Sequence, residues 1–216
     1  MSDSWQLLGG DLDLDTAAEL EIRGKEHGLA VDTETTGLDA RSSTIQVVSL
    51  AVPGKSVVLT IEGGLRPQAL ASLLENNSIP KIFHNALFDV TFIKAQWKYL
   101  VEPIFCTKVA ARLAGVSRNP TLQCLTEQLL GVSMDKSTRM SDWTTRPLSE
   151  AQAAYASEDV VHLHDLQRVL SWMLADAGQT SLFERCMAFI NSRAELDLEQ
   201  LGDVFTYALP DSHPSS

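Results

Sequence analysis

Apolar and polar positions fall into short blocks along the first half of the chain and recur at helical spacing along the second half. Trp5 to Leu8 predicts a short first strand. Thr16 and Glu19 stand in the Ser/Thr-x-x-Glu arrangement that satisfies the first free amides of a helix, so a helix is expected from there to about Glu26, closed by Gly28. Leu29 to Val31 is an apolar strand that runs into Asp32. Ile45 to Val52 is a β-branched run, and Val57 to Ile61 follows it after the Pro53-Gly54 turn, which is a hairpin signal. Pro67 opens a helix through Leu74, because its missing N–H costs nothing in a first turn. Lys81 to Phe83 predicts another strand that delivers His84 and Asn85 to its end, and Ala86 to Trp97 continues as a helix.

From Cys106 onward the pattern is helical. One segment reaches Leu113, a second runs from Leu122 to Leu130, and a long one begins at Ser149, where Ser149 and Gln152 form a second capping pair. Along it Ala153, Ala156, Val160, Leu163, Leu166 and Leu170 recur at helical spacing, which predicts one helix to Ala175. Ser133 to Pro147, with Lys136, Arg139, Trp143 and Arg146, is too long and mixed to be a turn, and such loops are functional or flexible. A last helix from Ser181 to about Arg193 precedes an acidic tail whose end, PDSHPSS, is expected to be disordered. The order of elements indicates an α/β chain with a mixed sheet flanked by helices and a ligand at the strand ends. It is expected to form one domain over residues 1–194, with 195–216 as a tail.

A chain of 216 residues, 44% of them hydrophobic, can bury one good core. Lys and Arg number 17 against 28 Asp and Glu, a net charge of −11, which excludes coating long nucleic acid through the overall field. A short anionic substrate held through metal ions is compatible with that charge. The cysteines Cys106, Cys124 and Cys186 make no Cys-x-x-Cys pair, and their odd number suits a reducing cytoplasm. The first residues carry no secretory pattern, and no run approaches the ~18 apolar residues of a membrane span, so a soluble cytoplasmic protein with no membrane partner is expected.

Four acids change the picture: Asp32 and Glu34 in VDTETTG, Asp89 in HNALFDV and Asp159 in YASEDV. Asp32 and Glu34 lie two apart at a strand end and leave one face together, Asp89 begins a helix after another strand, and Asp159 projects from the long helix. Like charges about 4 Å apart repel by roughly 4 kcal/mol at an effective dielectric near 20, so such a cluster calls for cations. Oxygen ligands alone select Mg²⁺ or Mn²⁺. Tyr155, four residues before Asp159, shares its helix face and can orient an attacking water, which suits phosphodiester hydrolysis with two ions per site.

VDTETTGL, HNALFD and YASED, in that order, resemble the three motifs of the DEDD superfamily of 3′-to-5′ exonucleases, which have a ribonuclease-H-like (DnaQ-like) fold. Ala154 stands where the histidine subclass has its general base, and Tyr155 stands where the tyrosine subclass has its phenol. LLGVSMDKSTRMSDWTTRPLSEAQAAYASEDVVHLHDL is similar to ribonuclease D, whose helical HRDC domains are not expected here, and KIFH, FCTKVAARL and CMAFINSRAELDLEQLGDVF resemble the small oligoribonucleases called nanoRNase C. Asn85-Ala86 departs from the pair usual in the latter.

The resemblance implies hydrolysis of RNA, short oligoribonucleotides above all, from the 3′ end to nucleoside 5′-monophosphates. The alternatives are a nuclease acting on DNA or on both nucleic acids, and a silent binding module. Asp32, Glu34 and Asp159 would hold one ion, Asp32 would bridge to a second, and Asp89 would support that one. Glu34 and the backbone near Thr33 would meet the 3′-hydroxyl, and Leu38 would act as an apolar wedge or pack its turn. His84 reads as a nucleotide contact beside Asn85 or as a strand-end histidine, and Phe88 as stacking platform or core. Lys136, Arg139 and Arg146 would neutralise phosphates, Trp143 would anchor its loop, and His162, His164 and Lys108 read as structural or surface groups. The end CMAFINSRAELDLEQLGDVF further implies a homo-oligomer, an octamer being one form open to it.

Overall fold

In the computed structural model the described residues are 5–134 and 141–206, so Lys136, Arg139 and the terminal PDSHPSS lie outside them. Strands β1 (Trp5–Gly9), β2 (Leu29–Thr35), β3 (Ile45–Val52), β4 (Lys55–Thr60), β5 (Lys81–Phe83) and β6 (Ile104–Cys106) form one sheet in the order β1-β4-β3-β2-β5-β6. β2, β3 and β4 are antiparallel neighbours. β1 joins β4 in parallel, and β5 and β6 extend the other edge in parallel from β2, so the sheet is mixed.

The two sides of β3 pack against different helices. Val47 and Ser49 sit opposite Glu34 and Asp32 in the β2–β3 register, so all four share a side. On that side α6 (Glu150–Val161) brings Ala156 and Tyr155 against Val47 and Val58, and the hydroxyls of Ser157 and Ser56 meet at 2.7 Å. Val48 and Leu50, the alternate positions of β3, enter the main core with Leu20 of α1 (Leu14–His27) and Leu70 of α2 (Gln68–Leu74). α3 (Ala86–Trp97) follows β5, and α4 (Thr107–Leu113) follows β6. Gly28 ends α1 with φ 85°, where a Cβ would stand 2.9 Å from Ile82 Cδ1, so this tight entry into β2 requires glycine.

Several sequence-based boundaries move. α1 starts at Leu14 because Asp13, not Thr16, is its cap: the Asp13 carboxylate accepts from both the amide and the hydroxyl of Thr16, each at 2.8 Å. Glu19 instead meets Arg23 at 2.9 Å and Lys55 at 2.5 Å. The helix expected over 122–130 is α-helical in α5 (Leu122–Leu125) and widens to a π turn over Thr126–Leu130, where the Thr126 hydroxyl donates to the Leu122 carbonyl at 2.9 Å.

The helix expected from Ser149 to Ala175 is two, α6 and α7 (Leu163–Asp176), joined at His162. α6 packs on β2, β3 and β4, whereas α7 packs on α4 and β5, so the axis must turn between them. The Ser149–Gln152 capping box is present. α8 (Thr180–Leu198) runs five residues past Arg193 and so passes through the expected domain boundary at residue 194. It lies on α3, with Lys94 Nζ 2.5 Å from Glu195 and the Asn191 amide donating to the Val101 carbonyl at 2.9 Å. Among the described residues no helix is long and apolar enough to cross a membrane.

Candidate active site

Three elements bring the acids together. β2 supplies Asp32 and Glu34 from one face, and α6 supplies Asp159, so that carboxylate oxygens of all three lie within 4.8 Å of one another. Each is partly buried. Burial first, and then the charges of Asp89, Asp159 and Glu34, push the Asp32 carboxyl well above the usual carboxylate range.

Asp89 is joined to this group through a different contact. Buried in the first turn of α3, its Oδ1 accepts from the Thr33 hydroxyl at 2.7 Å. Burial raises its carboxyl to about 7 against the opposing pull of that hydrogen bond, and Asp159 adds a smaller rise. Oxygen-only donors this close match a hard divalent cation.

Tyr155 lies one turn before Asp159 on α6, half-buried, and its hydroxyl donates to the Asp159 carboxylate. Burial, followed by the charges of Asp159 and Glu34, holds the phenol protonated far above its ordinary range. Trp143 packs behind it, 5% exposed, with ring centroids 6.1 Å apart.

Trp143 is thus a loop anchor, as its sequence context suggests, and Arg146 explains how the loop stays down. The Arg146 guanidinium donates to the carbonyls of Trp143 at 2.7 Å, Gln46 at 3.0 Å and Ile61 at 3.2 Å. Those donors face the backbone, so Arg146 clamps its own loop to the sheet. Lys136 and Arg139 lie outside the described residues.

His84 is turned inward. Its Nδ1 is 2.9 Å from the Thr107 hydroxyl, and the ring donates to the Pro120 carbonyl. Burial, with a smaller push from Lys108, lowers the ring to about 4, so it is neutral at ordinary pH. His164 Nε2 lies 3.1 Å from the Gly28 carbonyl and ties α7 to the turn between α1 and β2, while His162 sits at the α6–α7 junction.

A cleft of about 540 Å³ is lined by the loop after β2, the start of α3 and the end of α8. One lip is the loop after β2, where Leu38 stands 89% exposed. The floor is the start of α3, with Asn85 in left-handed backbone at φ 84° and Phe88 tilted against the buried Phe92, ring centroids 4.8 Å apart. Phe88 therefore belongs to the core on one side and to the cleft on the other. The opposite lip comes from the end of α8, Asp197, Leu198 and Gln200. Those three fall in the stretch read from sequence as a tail, and no local motif marks them.

A family model described as 3′-5′ exonuclease matches residues 13–175. Ribonuclease D of Gluconacetobacter diazotrophicus is 32% identical over 181 residues, 83% of this chain and 46% of that protein. The chain thus spans less than half the length of this curated relative. Brucella melitensis NrnC superposes with a TM-score of 0.87 at 33% identity, covering 95% of this chain and 100% of that one. Structures of NrnC with bound Mg²⁺ and with pGG match at TM-scores of 0.85 and 0.86. Escherichia coli RNase D matches at 0.77 with 22% identity, over 89% of this chain and 51% of that one, a likeness of fold.

Proposed function

This chain belongs to the 3′-5′ exonuclease family, and from that premise we propose that it removes nucleotides one at a time from the 3′ end of short RNA, releasing nucleoside 5′-monophosphates. The observation that carries the reading is the meeting of Asp32, Glu34 and Asp159 within 4.8 Å, with Tyr155 hydrogen-bonded to Asp159. Ribonuclease D relatives and the pGG-bound NrnC neighbour support RNA of small size as the substrate. The net charge of −11 supports a short strand over a long one.

Asp32, Glu34 and Asp159 would hold one divalent cation, Asp32 would bridge to a second, and Asp89 would support that second site. When bound, Mg²⁺ or Mn²⁺ supplies the charge that eases ionisation of the attacking water and stabilises the leaving oxygen. The chain's own groups do the rest. The Tyr155 hydroxyl, donating to Asp159, keeps lone pairs free to accept from the attacking water and aim its oxygen at phosphorus. The 3′-oxygen of the penultimate nucleotide departs and takes up a proton, and the terminal nucleotide leaves with its 5′-phosphate.

Glu34 and the backbone near Thr33 would meet the terminal 3′-hydroxyl, with Leu38, Asn85 and Phe88 around the base. His84 would support Asn85 from behind, and Lys136 and Arg139 would meet phosphates. The three free cysteines support a reducing compartment such as the cytoplasm. Exposed Leu201, Val204 and Phe205 support a homo-oligomer, with an octamer as one closed form.

A time course on 5′-labelled RNAs of graded length, with matched DNA alongside, tests the reading in Mg²⁺, in Mn²⁺ and in chelator. Stepwise shortening from the 3′ end, faster on short RNA and lost in chelator, is expected. Internal cuts, or cleavage that persists in chelator, would overturn it.

A further inference from the structure

The end of α8 has no part in the proposed chemistry, yet it lines the same cleft as Leu38, Asn85 and Phe88. It is held there firmly. Lys94 of α3, its side chain 17% exposed, pairs with Glu195 at 2.5 Å, and Asn191 donates to the Val101 carbonyl at 2.9 Å. Gln200, just past the helix, adopts left-handed backbone at φ 58° and is exposed at the cleft.

The cleft's chemistry points to one kind of occupant. Leu38, Phe88 and Leu198 give it apolar lining, and Asn85 and Gln200 bring amide donors and acceptors to it. Each charged group of its lining has an ion-pair partner. Asp39 is held by Arg41 at 2.6 Å on one lip, and Asp197 by Arg193 at 2.8 Å on the other. A space with an aromatic face, apolar edges, two amides and compensated charge fits a neutral, planar, hydrogen-bonding ring better than a phosphate. Phe88 directly precedes Asp89 and Leu38 lies four residues beyond Glu34, so such a ring would belong to the strand whose phosphate meets the acids.

We infer that the carboxyl-terminal end of α8 is a wall of the substrate's nucleobase pocket, and that Gln200 is a specificity-determining residue that hydrogen-bonds the base lying on Phe88. This deepens the exonuclease reading and rests on it. The wall comes from the same chain as the acids, so each site carries its own.

The test compares the full-length chain with Gln200→Gly, which removes the amide and tolerates the positive φ, and with Gln200→Asn, which keeps a shorter amide. Each is assayed with Mg²⁺ on a ribodinucleotide and on its abasic analogue, in which hydrogen replaces both bases. On the dinucleotide, Gln200→Gly is expected to raise KM about 5- to 20-fold with kcat within twofold, one lost hydrogen bond in a partly desolvated site. Gln200→Asn should recover part of that loss, and neither variant should alter turnover of the abasic analogue. An unchanged KM, or an equal loss on both substrates, overturns the inference while leaving the nuclease reading standing. A wild-type chain inactive on both substrates overturns the nuclease reading, and the inference with it.

Discussion

Tyr155 and Asp159 show how much of this site is written in local spacing. A phenol and a carboxylate four residues apart on a helix must share a face, and the structure places the hydrogen bond there. Asp32 and Glu34 are legible for the same reason, since residues two apart on a strand leave one side together. Replacing Tyr155 by Phe removes one oxygen and keeps the ring against Trp143. The expected result is a fall in kcat of about 10²- to 10⁴-fold with an unchanged melting curve. A loss of folding in step with the loss of rate would instead make the phenol structural. The Thr33 hydroxyl was not legible, because its partner Asp89 is 56 residues away and nothing local announces the pair. Thr33→Val keeps the shape and strips Asp89 of a buried donor, so metal affinity or activity should fall about 10- to 100-fold. Thr33→Ser should restore most of it, as read from the Mg²⁺ concentration needed for half-maximal rate. Equal behaviour of the Val and Ser variants would show that the hydroxyl does not matter.

At the scale of elements, sequence patterns located β3 and α3 to the residue, because a β-branched run and an apolar helix after a strand leave few alternatives. They failed where tertiary contacts decide. The three-residue β6 is too short to carry a period and exists through pairing with β5. The α6–α7 junction at His162 has no glycine or proline to mark it, and only the change of packing partner explains the turn. The end of α8 looked like a tail because its partners, Lys94 and the cleft, are remote in sequence.

His84 belongs to this scale, since it links the end of β5 to Thr107 of α4 and to Pro120. Its ring is lowered to about 4 in the fold and returns to about 6.5 when unfolded. Between those values the unfolded chain binds the extra proton, so the contribution of His84 to stability is whole above pH 6.5 and is lost as pH falls towards 4. The acids titrate in the same range, so the informative quantity is the difference between wild type and His84→Asn in urea midpoint at pH 7 and pH 5. The wild type should lose more stability on acidification than the variant, by on the order of 1–2 kcal/mol. Parallel losses would mean that His84 titrates normally.

For the whole molecule, the acid group sets stability against function. The fold draws Asp32, Glu34, Asp89 and Asp159 from β2, α3 and α6 into one place. Burial first, and that crowding second, raises the carboxyls of Asp32 and Asp89, so the fold keeps protons that the unfolded chain releases near pH 4. The folded state is thereby penalised as pH rises from about 4 through 7, and a bound cation would cancel the penalty. Asp32→Asn removes one charge from the repelling set and one ligand from the cage, so its effect should change sign with metal. In chelator at pH 7.5 the variant should melt a few degrees above wild type, since about 1 kcal/mol moves the midpoint by roughly 2–4 °C in a chain of this size. With Mg²⁺ at about 100 times its Kd the wild type should gain about 2.7 kcal/mol and overtake a variant that gains little. Thermal melts of both proteins in chelator and in Mg²⁺ read this directly. A wild type that is the more stable of the two in chelator, and that Mg²⁺ leaves unmoved, would show that these carboxylates do not form a cation cage.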